Sequence, residues 1–243
     1  MVLIDTHVHI DFYSDPLSIA LEYERLGIYT MFVTNLPEIF NKHLSSFSNF
    51  KFVRLCLGYH PQVSSEYKLN KKLFMKSIVS TQYIGEVGLD FQNVDKIIIK
   101  RQIEALKFIT SEQFNKGRIY TVHSRGTEDE VLNILIENNV KHAIFHWYSG
   151  KVTTLEKIAE KGYYFSLNPR MLYTKNGQKI IQRIPKKSIL FETDGPFARI
   201  NRKIITPDTL PDIYCEFEKI IPNFEDTVFT NFRRLLFEKD YLS

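Results

Sequence analysis

His7 and His9 stand one residue apart, just past a short apolar run at residues 2–6. If that run is a strand, its two-residue period turns both imidazoles to one side, the spacing of a pair of metal ligands. Alone, a His-x-His pair is equally well read as two polar groups at the mouth of a pocket. Other runs shift that balance. Glu86 lies in Ile84-Gly85-Glu86-Val87, His123 ends Tyr120-Thr121-Val122-His123, His146 ends Ala143-Ile144-Phe145-His146, and Asp194 follows Phe191-Glu192-Thr193. Imidazoles and carboxylates are costly to bury without partners, so six of them gathered at strand ends call for a shared counter-charge, which divalent metal supplies. Each residue singly fits a hydrogen-bonded polar group near a core, but the set does not. His60 also falls just after an apolar run, whereas His43, in a predicted helix, and His142, at a strand start, read as surface or packing residues.

Six such groups share a face only if many strand ends point the same way. Eight β-branched and aromatic runs, at 2–6, 28–34, 51–57, 83–88, 118–123, 142–147, 163–168 and 188–193, alternate with segments of helical pattern. That alternation predicts βα units around a parallel sheet, and eight of them predict a (β/α)8 TIM-type barrel, one domain over residues 1–243. Local punctuation agrees. Asp15-Pro16 reads as an N-cap with its first helical residue and Gly27 as the stop; Thr127 with Glu130 and Thr153 with Glu156 have capping-box spacing; Gly117 and Gly162 suit left-handed caps. Residues 197–211 read as a mobile loop before the last helices.

The 243 residues are 44% hydrophobic and 25% charged, which excludes disorder, collagen-like repeats and a disulfide miniprotein. A formal charge of +4 permits an anionic partner without announcing one. Cys56 and Cys215 lie far apart in apolar segments and read as buried, reduced thiols. The start Met1-Val2-Leu3-Ile4 has no basic signal region, and no run approaches the roughly 20 apolar residues of a membrane span, so a cytoplasmic protein without a membrane partner is expected.

The ordered segments Asp5-Thr6-His7-Val8-His9, Gly58-Tyr59-His60-Pro61, Gly85 to Asp90, His123-Ser124-Arg125, His146-Trp147-Tyr148-Ser149-Gly150 and Glu192 to Phe197 resemble the motifs of TatD-type metal-dependent deoxyribonucleases. The resemblance spans nearly the whole chain, including Asn231 to Phe237 as the closing helix. At a finer level, residues 13–15, Trp147, Tyr164 to Asn168 and Gly195 in place of a serine resemble the TatD-like nuclease subunit of the Qat anti-phage system. The resemblance implies metals at the carboxyl end of the barrel: His7, His9 and Asp194 on one ion, His123 and His146 on the other, and Glu86 bridging them. It implies hydrolysis of DNA, with Asp194 and Glu86 as catalytic groups and Asp194 taking the proton of the attacking water. Partner proteins of a defence operon also follow from it. Imidazole and carboxylate donors suit Zn or Mn, and Mg is a family alternative.

Around this centre, His60, Arg125 and Arg170 are candidates for substrate phosphate contacts, because each follows a predicted strand and donates to anionic oxygen. Arg125 has Glu128 and Asp129 as alternative partners, and Arg170 is equally read as solvated. Trp147, Tyr148 and Phe197 suit stacking on the bases of a single strand or a DNA end, or packing beneath the loop. Two rival readings share the ligand set: an amidohydrolase-type enzyme acting on an amide, modified peptide or nucleobase, and a metal-stabilised assembly subunit.

Overall fold

A computed structural model describes residues 2–200 and 202–241. Strands and helices alternate along it. The strands are β1 (Ile4–His9), β2 (Tyr29–Val33), β3 (Val53–Leu55), β4 (Leu57–Tyr59), β5 (Tyr83–Gly88), β6 (Ile119–His123), β7 (Ala143–His146), β8 (Tyr164–Leu167) and β9 (Ile189–Phe191), with a small hairpin β10 (Arg199–Ile200) and β11 (Lys203–Ile204). The helices are α1 (Pro16–Leu26), α2 (Pro37–Phe47), α3 (Lys71–Ser77), α4 (Lys96–Ile109), α5 (Glu128–Glu137), α6 (Val152–Glu160), α7 (Lys175–Ile181), α8 (Leu210–Glu218) and α9 (Phe224–Tyr241).

β1-β2-β3 and β4 through β9 form two parallel sheets that join into one barrel. At the first seam the third barrel strand breaks at Cys56, whose N–H still reaches Phe32 O at 2.7 Å, so β3 and β4 act as one interrupted strand. At the second seam the chain beyond β9 pairs with β1: Asp194 N–H donates to His7 O at 2.9 Å and His9 N–H to Gly195 O at 2.8 Å. Every barrel strand is therefore paired on both sides, which removes free edges. The structure is the expected eight-unit barrel, with β1 and β4 running two to three residues further than the sequence pattern suggests. At the barrel mouth the strands continue past the apolar runs, through His7 and His9 in β1 and through Gly58 and Tyr59 in β4.

The fit between strands is close. A Cβ added to Gly58 in β4 would lie 1.8 Å from Thr34 O and 2.6 Å from Gly85 O, so only glycine lets β2, β4 and β5 approach here. Register shifts interrupt the β1–β2 pairing between Asp5 and Val8 and the β5–β6 pairing between Ile84 and Val87. Such irregularities re-aim side chains, and these two flank His7 and Glu86.

Outside the barrel, helices bury one face each. Asp15 caps α1 by accepting from Ser18 N–H at 3.0 Å, and Gly27 ends it with φ 66°, as expected. The two predicted capping boxes do not form. Thr127 stands at the start of α5 but donates instead to Leu89 O at 2.9 Å, and α6 starts at Val152, two residues too early for Thr153 to cap it. Residues 197–211 hold the β10–β11 hairpin rather than an unstructured loop. Cys56 is buried, but Cys215 is exposed: it faces outward on α8 while Ile213, Tyr214 and Phe217 take the inner face. Among the described residues no helix is long and apolar enough to cross a membrane.

Candidate metal centre

At the carboxyl ends of the strands, five imidazoles surround one carboxylate. Glu86 Oε2 lies 3.2 Å from His7 Nε2 and 3.1 Å from His9 Nε2. Its Oε1 lies 2.7 Å from His123 Nδ1, 2.8 Å from His146 Nε2 and 3.2 Å from His60 Nε2. Glu86 is fully buried. Burial works against its charge, yet the imidazoles of His60, His146 and His7 and the His123 hydrogen bond outweigh it and hold the carboxyl well below the ordinary range.

Asp194 completes the first group. Its Oδ1 is 3.3 Å from His9 Nε2 and 3.9 Å from His7 Nε2, and the two imidazole nitrogens are 3.3 Å apart. A tetrahedral ion with bonds of about 2.0–2.1 Å needs donor atoms roughly 3.3–3.4 Å apart. Two of the three edges of this group lie at that value and the third is 3.9 Å, so the donor set fits a divalent ion in chemistry and nearly in spacing. One buried atom points the same way: Asp194 Oδ1, which faces the His7 and His9 imidazoles, accepts no conventional hydrogen bond. Three groups have ligand atoms near enough to share an ion: His7, His9 and Asp194; His60, Glu86 and His123; and His7, His146 and Glu192.

Electrostatics tie the ring together without metal. Burial pulls His9 down, but Asp194 and Glu86 more than offset it and raise the imidazolium to about 10. His146 is likewise lowered by burial and carried well above its ordinary value by Glu86 and Glu192. Asp194 is disfavoured by burial and held low by His9. His7 and His60 fall below the ordinary imidazole value, chiefly through burial.

His60 enters the ring more deeply than a peripheral phosphate contact would. Its Nδ1 accepts from Gln62 N–H at 3.2 Å, so the neutral ring carries its proton on Nε2 and faces Glu86 as a donor. Arg125 lines the cavity mouth, exposed and without an ion pair among the described residues. Its two alternative partners are engaged elsewhere: Glu128 accepts from Gly126 N–H at 3.1 Å, and Asp129 pairs with Lys157 at 3.5 Å. Arg170 is not brought to the cavity; it is exposed and its Nη1 donates to Arg199 O at 3.3 Å, bracing the hairpin. Tyr148 is buried and donates to Lys151 O at 2.7 Å, which leaves it no face for stacking. Trp147 and Phe197 do line the cavity, and Phe12 joins them, its ring 4.7 Å from that of Phe197. The cavity measures about 680 Å³.

Three carboxylates behind the ring were not singled out by spacing. Asp5, fully buried, accepts from Tyr23 Oη and Thr193 Oγ1 at 2.7 Å each and from Thr193 N–H at 2.9 Å; burial outweighs these bonds and pushes it up to about 7. Asp90 Oδ2 holds His123 Nε2 at 3.2 Å, and Glu192 Oε1 lies 3.6 Å from His146 Nδ1. These are the partners that fix a ligating imidazole's orientation. The two-residue period that pairs His7 with His9 extends back to Asp5, and the one that ends on Asp194 passes through Glu192, so the signal for both was present. Gly195 shows a separate adjustment: a Cβ there would lie 2.4 Å from Tyr13 Oη, so the phenol fills the notch beside Asp194.

The sequence profile of the family described as TatD related DNase matches residues 4–237. A Haemophilus influenzae protein named "Uncharacterized metal-dependent hydrolase" is 26% identical over 208 residues, covering 81% of this chain and 82% of that one. Human "Deoxyribonuclease TATDN3" is 26% identical over 166 residues, 60% of this chain and 58% of its own. The crystal structure of YjjV, a TatD homologue from Escherichia coli K12, superposes with a TM-score of 0.81 at 20% identity, covering 96% of this chain and 97% of that one.

Proposed function

The chain belongs to the TatD related DNase family, and from that premise we propose that it is a hydrolase that cleaves DNA phosphodiester bonds with two divalent ions at its barrel mouth. One observation carries the reading: each oxygen of Glu86 faces its own set of imidazoles, as a carboxylate shared between two cations must. In this reading His7, His9 and Asp194 would hold one ion, His123 and His146 the other, and Glu86 would serve both. Bound there, Zn, Mn or Mg supplies charge neutralisation at phosphorus and a more acidic water.

The chain's own residues supply the rest. Asp194, buried at the mouth with a left-handed φ of 51°, would orient the attacking water and accept its proton, a role a carboxylate combines with metal ligation. His60 Nε2–H holds the Glu86 carboxylate, and the Arg125 guanidinium, exposed at the mouth, donates to phosphate oxygens. Phe12 and Phe197, each 50% exposed at the mouth, offer ring faces to an unpaired base, so a single strand or a frayed end is the preferred substrate. Arg170 is withdrawn from the contact set. Residues 1–243 act as one TatD-like domain. The Tyr13–Gly195 pairing supports the finer kinship with the Qat nuclease subunit, and with it a cytoplasmic role in anti-phage defence beside partner proteins of the same operon.

The test is elemental analysis of the purified protein followed by metal add-back on labelled single-stranded DNA. The reading requires about two ions per chain, metal-dependent cleavage, and loss of cleavage in His7→Ala and Asp194→Asn. Metal-independent cleavage, or variants as active as wild type, overturns it. Phage challenge of cells carrying Asp194→Asn tests the defence role, which protection equal to wild type would exclude.

A further inference from the structure

The barrel's other end holds a second cavity, of about 670 Å³, remote from the histidine ring. It opens where strands begin, beside Arg54 of β3, Gln82 and Tyr83 at the start of β5, and Arg118 just ahead of β6. Arg54, Lys116 and Arg118 all line it, and among the described residues no aspartate or glutamate does. The guanidinium hydrogen bonds run to main-chain carbonyls: Arg54 Nη1 to Phe50 at 2.9 Å and Val53 at 3.0 Å, Arg118 Nη1 to Phe114 at 2.7 Å, and Arg118 Nη2 to Ile78 at 3.2 Å. Carbonyl dipoles fix these side chains in place but do not cancel their formal charge. Arg118 Nε is buried with no partner, and burial lowers the Arg118 pKa. A cation partly withdrawn from water, with an unfilled donor and no counter-ion, is stabilised by an anion brought to it.

We propose that this cavity is an anion-binding site for a small phosphorylated molecule, separate from the metal centre. Two forked guanidiniums and an ammonium match a multiply charged oxyanion better than a lone carboxylate. The rings of Phe47 and Phe50, 5.4 Å apart in edge contact, add an apolar wall for a planar group attached to the phosphate. The volume lies within the range of small-molecule sites.

Inorganic phosphate and deoxyadenosine monophosphate are titrated separately, by calorimetry, into the full-length protein stripped of metal, so that no cation at the opposite end competes for the anion. One ion per chain binds, and Lys116→Glu, an exposed side chain, weakens binding about tenfold or more, the scale of a lost charged contact. Lys161→Glu, an exposed lysine that lines neither cavity, leaves it unchanged, and thermal melting checks that both variants fold. Tighter binding of the nucleotide than of phosphate shows use of the Phe47–Phe50 wall; equal binding shows that the phosphate group suffices; either supports the site. Absence of binding to wild type overturns it, as does a loss caused by Lys161→Glu or no loss with Lys116→Glu.

Discussion

At Glu86 one side chain balances five imidazoles, and its charge rather than its shape does so. Glu86→Gln keeps the volume and removes the charge, so metal content measured by elemental analysis is expected to fall below one ion per chain, with the cleavage rate down by about a hundredfold or more. Protonation gives a second consequence. His9, held near 10, and His146, held well above its ordinary value, carry protons at neutral pH without metal, and an imidazole must shed its proton to ligate. Metal uptake therefore releases protons, and affinity falls as pH falls, by about tenfold per displaced proton for each pH unit. Calorimetry in buffers of different ionisation enthalpy measures the number released, and a heat independent of buffer would contradict the linkage. At this scale the sequence picked out the side chains that meet at the barrel mouth. Their hydrogen bonds were not legible: nothing in the letters says that Gln62 N–H fixes the His60 proton on Nε2, or that Arg170 spends its guanidinium on the carbonyl of Arg199.

At the scale of elements, ligands are aimed by how closely strands meet. Gly58→Ala forces a methyl into Thr34 O and Gly85 O, both main-chain atoms that cannot step aside without moving β2 and β5. A loss of about 3 kcal/mol or more in urea unfolding is expected, at the upper end of overpacking costs, with metal affinity falling as Glu86 shifts. An unchanged unfolding midpoint would show that β4 has more room than its neighbours indicate. The eight runs were readable because β-branched and aromatic residues cluster in strands and helices begin and end with recognisable signals. The break at Cys56 and the register shifts beside His7 and Glu86 were not, because they arise from pairing with strands distant in sequence. The capping box at Thr127 failed for a similar reason, its hydroxyl donating to Leu89 O, while at Thr153 the helix has already begun at Val152.

For the molecule as a whole, the candidate ligands come from β1, β5, β6, β7 and the segment after β9, so ions held there tie the first strand to the last. An ion that binds only the closed barrel stabilises it by about 2.7 kcal/mol at a free concentration a hundredfold above its dissociation constant. In a chain of this size that corresponds to roughly 5–10 °C, so chelation is expected to lower the melting temperature by that much and add-back to restore it. A melting curve indifferent to chelator would place the ions outside the folding equilibrium. The sequence by itself determined the barrel, the face that bears the chemistry and the six residues that meet there, because periodicity and residue type are local properties. Only the tertiary structure decided that Asp5, Asp90 and Glu192 stand behind them, that Tyr13 fills the notch at Gly195, and that the opposite end gathers cations without acids. Those arrangements join residues far apart along the chain, and distance in space is set by closure of the barrel rather than by the order of the letters.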